Sequence, residues 1–387
     1  MLRLKTVFVA AGILVWLGNG QLVESADCNA NGVEDALDIQ PRGFGFPATL
    51  SYVVGGGTDH LALVVADFDG DGRADLATAG CYPGWACSIS ILLNRGDGSF
   101  EEAWSSDGAG GDVLVATDLD DDNRPDLVTA DGWSGTASVI LNQGDGTFKE
   151  AVRYGVGGDP QSIVAADLNG DGTPDLATAN AACPGCDPPA PSTVSVLLNQ
   201  GDGTFKAAVS YRDAGGESLV AADLNGDGRL DLATALRGCA TCDPPTRGGT
   251  SVLINRGDGT FKDPVRYAVG GSPLLAADLN GDGRPDLATA LDACAGCVPP
   301  IQGGVAILLN RGDGTFQDAV SYPAEGVPIF SSLLAADLDG DGRLDLVTGG
   351  VTVLLNRGDG TFRDAVSYLG GWIPLAAADF NGDGRPD

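Results

Sequence analysis

The sequence predicts an all-β protein: a seven-bladed β-propeller of four-stranded antiparallel blades, the last blade incomplete in this chain. Three observations predict it. The string "VAADLNGDGTPDLATA" (164–179) recurs with small changes seven times, its leading Asp at 67, 118, 167, 223, 278, 337 and 379. Copies therefore lie roughly 40 to 60 residues apart, a spacing that suits one propeller blade per repeat. The chain is also rich in turn-forming residues, with 59 Gly among 387, and poor in aromatics at 6%. Its 43% hydrophobic content is nevertheless enough to bury a core.

Each repeat reads as four strands in order. The first is apolar throughout, as in "SLVAAD" (218–223), and is expected to be buried on both faces. It ends in a pair of alanines (Ala165 and Ala166, Ala221 and Ala222, Ala276 and Ala277), small enough for inner strands to crowd around an axis. The second strand is "DLATA" and the third is of the "SVSVLLN" type. The fourth is of the "TFKAAVSY" type, with alternating character. Between the third and fourth lies a turn such as "NRGDG", where Gly and Asp accept the positive φ that a hairpin demands.

That turn first appears as Arg95-Gly96-Asp97, an adhesion tripeptide. Arg recurs at 256, 311 and 357, but Gln143 and Gln200 replace it in the other copies. A position that alternates between Arg and Gln reads as a solvated turn rather than a ligand.

Three segments are expected. Residues 1–26 read as a signal peptide, with an uncleaved membrane anchor as the alternative: Arg3 and Lys5 precede an apolar run of about a dozen residues, short for a bilayer span, and then small residues. Residues 27–43 hold an EF-hand-like, dockerin-like loop and a linker. Residues 44–387 form the propeller. "FGFPATLSY" (44–52) matches "GTFKAAVSY" (203–211), so the N-terminal strand is expected to complete the seventh blade from outside. The repeat breaks off at Asp387, and roughly 20 further residues, enough for two strands and turns, are expected beyond it, with a gapped seventh blade or a longer run of repeats as the alternatives.

The net charge is −31, from 53 acidic and 22 basic residues. Nucleic acid and anionic membrane surfaces both require a basic face, so neither is expected as a partner. The acidity is concentrated in loops that follow each first strand. In Asp167-Leu168-Asn169-Gly170-Asp171-Gly172-Thr173-Pro174-Asp175, oxygen side chains occupy positions 1, 3, 5 and 9, with Gly at 6. Ca²⁺ takes six to eight hard oxygen ligands, and alternate residues of a tight turn can supply them, with position 7 offering its backbone carbonyl.

The ligand positions by this reading are Asp67, Asp69, Asp71, Arg73 and Asp75; Asp118, Asp120, Asp122, Arg124 and Asp126; Asp167, Asn169, Asp171, Thr173 and Asp175. They continue with Asp223, Asn225, Asp227, Arg229 and Asp231; Asp278, Asn280, Asp282, Arg284 and Asp286; Asp337, Asp339, Asp341, Arg343 and Asp345; Asp379, Asn381, Asp383, Arg385 and Asp387. A cation would relieve the mutual repulsion of these carboxylates. In the second loop Asn123 replaces Gly at position 6 and is expected to weaken that site. The N-terminal loop offers Asp27, Asn29, Asn31, Val33, Asp35 and Asp38, and either a metal site or a polar linker fits it. About seven Ca²⁺ ions are expected in the propeller loops, with one more at this N-terminal loop if it binds.

The loops "D-x-[DN]-G-D-G-x-x-D", followed by "LLN-x-GDGTF", resemble FG-GAP/VCBS repeats of the bacterial exported type. These are similar to the integrin α-subunit propeller, and the resemblance covers residues 44 to 387. It implies a seven-bladed propeller with Ca²⁺ between the first and second strands of each blade. It implies little about the ligand.

Eight of nine cysteines sit in pairs between strands two and three: Cys81 with Cys87, Cys183 with Cys186, Cys239 with Cys242, Cys294 with Cys297. In an exported chain they are expected to be local disulfides, with zinc or free thiols as alternatives. One histidine, His60, leaves no Ser-His-Asp set away from it. The expected function is a secreted or cell-surface, non-catalytic binding or adhesion module that takes a protein or glycan ligand. Two alternatives stand beside it. One is a lectin using Trp85, Trp104, Trp133 or Trp372; the other is a polysaccharide lyase or hydrolase on the same fold.

Overall fold

The computed structural model describes residues 7–9, 13–15, 60–81, 87–97, 99–182, 191–237, 248–291, 303–324, 332–349 and 352–367. Val7–Val9 pairs antiparallel with Ile13–Val15. The remaining strands form six four-stranded antiparallel sheets, each a meander in sequence order. Blade one comprises His60–Ala66, Asp75–Cys81, Ser88–Asn94 and Phe100–Asp107; blade two Val113–Thr117, Asp126–Asp131, Thr136–Ile140 and Val152–Gly155. Blade three comprises Asp159–Ala166, Asp175–Ala181, Thr193–Leu197 and Val209–Arg212; blade four Ser218–Ala222, Asp231–Leu236, Gly249–Leu253 and Val265–Tyr267. Blade five comprises Leu274–Ala277, Asp286–Leu291, Gly304–Leu308 and Val320–Pro323; blade six Leu333–Ala336, Asp345–Thr348, Thr352–Leu354 and Val366–Ser367. The inner strands of successive blades touch one another in that order, as the first strands of a propeller must. The predicted seventh blade, with residues 44–52 as its outer strand, lies outside the described residues.

Among the described residues the core is divided rather than single. Five apolar slabs separate consecutive blades. Between blades three and four, for example, Ala177, Ala179, Val194 and Val196 meet Leu219, Leu232, Leu253 and Phe261. The alanine pairs fit this arrangement because neighbouring residues of a strand point to opposite faces. Ala165 packs into the slab between blades two and three and Ala166 into the next. Ala221 and Ala222, and Ala276 and Ala277, divide in the same way.

Two expectations need correction. The inner strands are not buried on both faces. Leu333–Ala336 is half-buried throughout, whereas the third strands of blades three to five are buried along their whole length. An inner strand has neighbouring blades on its flanks but only the axis of the ring in front of it, so its apolar residues serve close packing rather than full burial. The outer strands of blades two to six are also shorter than predicted, whereas in blade one the segment pairs over Phe100–Asp107. In blade three the paired strand begins at Val209, and "TFKAA" before it contributes only the single bridge from Asn199 to Phe205.

An aromatic clasp joins the blades on the outside. The Tyr154 hydroxyl accepts a hydrogen bond from the Phe205 amide of the next blade at 3.1 Å, and the two rings meet edge to face at 5.6 Å. Tyr211 with Phe261, Tyr267 with Phe316 and Tyr322 with Phe362 repeat both contacts. Each such ring pair is worth about 0.5–1.5 kcal/mol beyond its burial. In blade one Trp104 takes this place, its ring 5.2 Å from that of Phe148. Trp104 thus lies half-buried against the slab between blades one and two.

Candidate metal loops

Each described acidic loop joins an inner strand to the second strand of its blade, at one end of the sheet. Its first carboxylate organises the turn. Asp67 accepts hydrogen bonds from the amides of Gly70 (2.8 Å) and Asp71 (3.1 Å) on one oxygen, and of Gly72 (2.8 Å) on the other. Asp167, Asp223, Asp278 and Asp337 do the same in their loops. The fold-back that aims these amides at one carboxylate requires positive φ at positions 4 and 6, and Gly170 (81°) and Gly172 (91°) supply it. In loop two Asp121 (59°) and Asn123 (63°) adopt the same conformation at a steric cost. Asn123→Gly is expected to raise the stability of the metal-free protein by about 1 kcal/mol. Urea titration in EDTA checks this, and an unchanged or lower midpoint contradicts it.

The position 9 carboxylates are tied into the fold. Asp175 is fully buried; one oxygen accepts the Leu168 amide at 3.0 Å and the other the Asn199 amide at 2.8 Å. Asp126, Asp231, Asp286, Asp345 and Asp75 make the same pair of contacts. Except for the Asp175 oxygen that the Asn169 side chain also reaches, each oxygen keeps a second lone pair. Burial pushes Asp126, Asp231 and Asp286 up to about 6, against the lowering effect of the amides. It raises Asp75, Asp175 and Asp345 as well.

These raised values have a definite sign. A carboxyl with a higher pKa folded than unfolded stabilises the fold below about pH 4, and that contribution is lost as pH rises through about 6. In EDTA the melting temperature is expected to rise on acidification from pH 7 to pH 5. In saturating Ca²⁺, which needs ionised ligands, it is expected to fall. Thermal melts across that range test both directions; parallel profiles contradict the prediction.

Position 7 brings a second cation besides any metal. The side chains of Arg73, Arg124, Arg229, Arg284 and Arg343 each pair with the position 5 aspartate two residues earlier. In loop three the Thr173 hydroxyl donates to Asp171 instead, at 2.7 Å. The sequence reading counted only the backbone of position 7 and missed this pairing.

Carboxylate oxygens converge to within 4.8 Å in three of the described loops: Asp67, Asp69 and Asp71; Asp118, Asp120 and Asp122; Asp337, Asp339 and Asp345. In loop two one Asp120 oxygen is buried with no hydrogen-bond partner, and crowding by burial and by Asp122 and Asp118 raises its pKa. A hard dication fits such an oxygen-only donor set. The seventh loop (Asp379, Asn381, Asp383, Arg385, Asp387) and the N-terminal loop (Asp27, Asn29, Asn31, Val33, Asp35, Asp38) lie outside the described residues.

Sequence reasoning overlooked the Asn that ends each third strand. The Asn199 side-chain NH₂ donates to the Pro174 carbonyl of its own loop (3.0 Å) and to the Leu119 carbonyl in the loop of the preceding blade (2.8 Å). Asn142, Asn255, Asn310 and Asn356 make the same link to Phe68, Leu168, Leu224 and Leu279. The signal was present: this Asn is invariant across the six turns while the next residue alternates between Arg and Gln.

The turn that follows is self-contained. Asp97 accepts from the Ser99 amide (2.9 Å) and hydroxyl (2.6 Å), and Arg95 pairs with Glu101. Both charged side chains of the tripeptide thus serve their own hairpin. Of the predicted disulfides, Cys81–Cys87 is formed and closes the strand two to strand three hairpin of blade one. The pairs at 183 and 186, 239 and 242, and 294 and 297 lie outside the described residues.

Repeated four-stranded blades, each described one bearing an acidic loop bolted to its neighbour, define a repeat-built β-propeller. The FG-GAP-like repeat model matches residues 118–178, 186–234, 239–289, 291–348 and 347–387, more than half of the chain, and the chain belongs to that family. No curated protein sequence matches it. Among solved structures it is similar to the V. cholerae biofilm matrix protein Bap1, at 14% identity over 84% of this chain and 83% of that one, with a TM-score of 0.39. It is also similar to the periplasmic gluconolactonase PpgL of Pseudomonas aeruginosa, at 15% identity over 78% and 84%, with a TM-score of 0.46. Among the described residues no helix is long and apolar enough to cross a membrane.

Proposed function

We propose that the protein is an exported, calcium-binding β-propeller that acts as a non-catalytic binding or adhesion module for a protein or glycan. Calcium stiffens one end of each blade, and the ligand is taken at the other. The observation that carries this reading is the placement of Trp133. It is 86% exposed at the tip of the hairpin between Asp126–Asp131 and Thr136–Ile140, the opposite end of the sheet from the loop at 118–126. Burying a tryptophan on folding is favourable, so one held out on a tight hairpin is available to a ligand.

The test is a glycan array together with a pull-down, each run in Ca²⁺ and in EDTA. Capture in Ca²⁺ that weakens at least tenfold in Trp133→Ala, with an unchanged melting temperature, supports the reading. Capture indifferent to both the metal and Trp133 contradicts it, and turnover of a polysaccharide would establish an enzyme instead.

A further inference from the structure

We propose that the metal loops form two classes set by position 3, and that the loops beginning at Asp67, Asp118 and Asp337 bind Ca²⁺ more tightly than the rest. This rests on the calcium reading above and extends it to the side chain that sets affinity. Position 3 is Asp69, Asp120 and Asp339 in those loops, but Asn169, Asn225 and Asn280 in loops three to five. The difference is visible in the geometry. The three loops in which three carboxylates converge within 4.8 Å are those with Asp at position 3, and each converging trio includes that residue.

In loop three the amide does the opposite of gathering charge. The Asn169 NH₂ donates to Asp171 at 2.8 Å and reaches Asp175 at 3.4 Å, while its carbonyl accepts the Asp171 amide at 2.8 Å. That loop already satisfies part of its own charge, and a metal entering it must displace those contacts. In loop two the buried Asp120 oxygen has no donor to lose, and the competing contact is the Arg124–Asp122 pair at position 5. Binding there relieves repulsion and adds one full charge to the ligand set. Ligand charge is one of the variables that tunes calcium affinity across this kind of loop, and one extra carboxylate is expected to tighten binding about tenfold.

The experiment is calorimetric titration of Ca²⁺ into the full chain after chelator treatment, for the wild type, Asp120→Asn and Asn225→Asp. The wild type is expected to show a tight class of about three ions and a weaker class about tenfold lower in affinity. Asp120→Asn should remove one ion from the tight class. Asn225→Asp should add one, and as a gain of affinity it does not depend on a variant being damaged. A single class that neither substitution alters overturns this inference while leaving calcium binding intact. No binding of Ca²⁺ by the wild type overturns the calcium reading and this inference together.

Discussion

In 10 mM Ca²⁺ the protein is expected to unfold on the order of 10 °C above its melting temperature in EDTA. Extracellular calcium loops of this length bind with dissociation constants of about 10⁻⁴–10⁻³ M. A site with a constant near 10⁻⁴ M stabilises the folded state by about 2.7 kcal/mol at a hundredfold excess of ligand. The unfolded chain cannot assemble the loop, because the Asp67 carboxylate is positioned by three backbone amides and Asp75 by two more. Several such sites add across different blades. Identical melting temperatures in Ca²⁺ and EDTA would refute calcium binding. Mg²⁺ at the same concentration is expected to give a much smaller shift, since it dehydrates reluctantly and demands octahedral geometry.

Asn199→Ala is expected to cost about 3–5 kcal/mol in EDTA. The substitution removes donors from two carbonyls, those of Leu119 and Pro174, and an acceptor from the Gly201 amide at 2.9 Å. Asn199 is only 3% exposed, so water does not readily replace it. Each buried polar group left unsatisfied costs about 1–3 kcal/mol. Gln200→Arg, one residue on, exchanges the two residues seen at that turn position and should change stability by no more than about 0.5 kcal/mol. Chemical denaturation of both variants tests the contrast. Equal effects would mean that the Asn link between blades carries no weight.

The two expectations come from different levels of the molecule, and they differ in how far they were legible. The acidic loops could be read directly. Their chemistry is local: carboxylates at alternate positions and a Gly at position 6 produce the same turn wherever they occur. Asp167 and the amides it accepts lie within five residues of each other. Strand order was legible for a similar reason, because seven copies in register make each strand visible several times over. The boundaries of the outer strands were not. "TFKAA" alternates like a strand, yet no neighbouring strand pairs with it beyond the bridge at Phe205.

The sequence by itself determined the repeat, the four-stranded unit and the acidic turn, since each depends on residues close in the chain. Only the tertiary structure decided which side chains hold one blade to the next. Asn199 and Leu119 are 80 residues apart, and Tyr154 and Phe205 are 51. It also decided that Trp104 lies half-buried against the next blade while Trp133 stands in solvent. Nothing local separates two tryptophans in short strands or turns. What separates them is whether another blade lies against them, and that is settled when the ring assembles and not before.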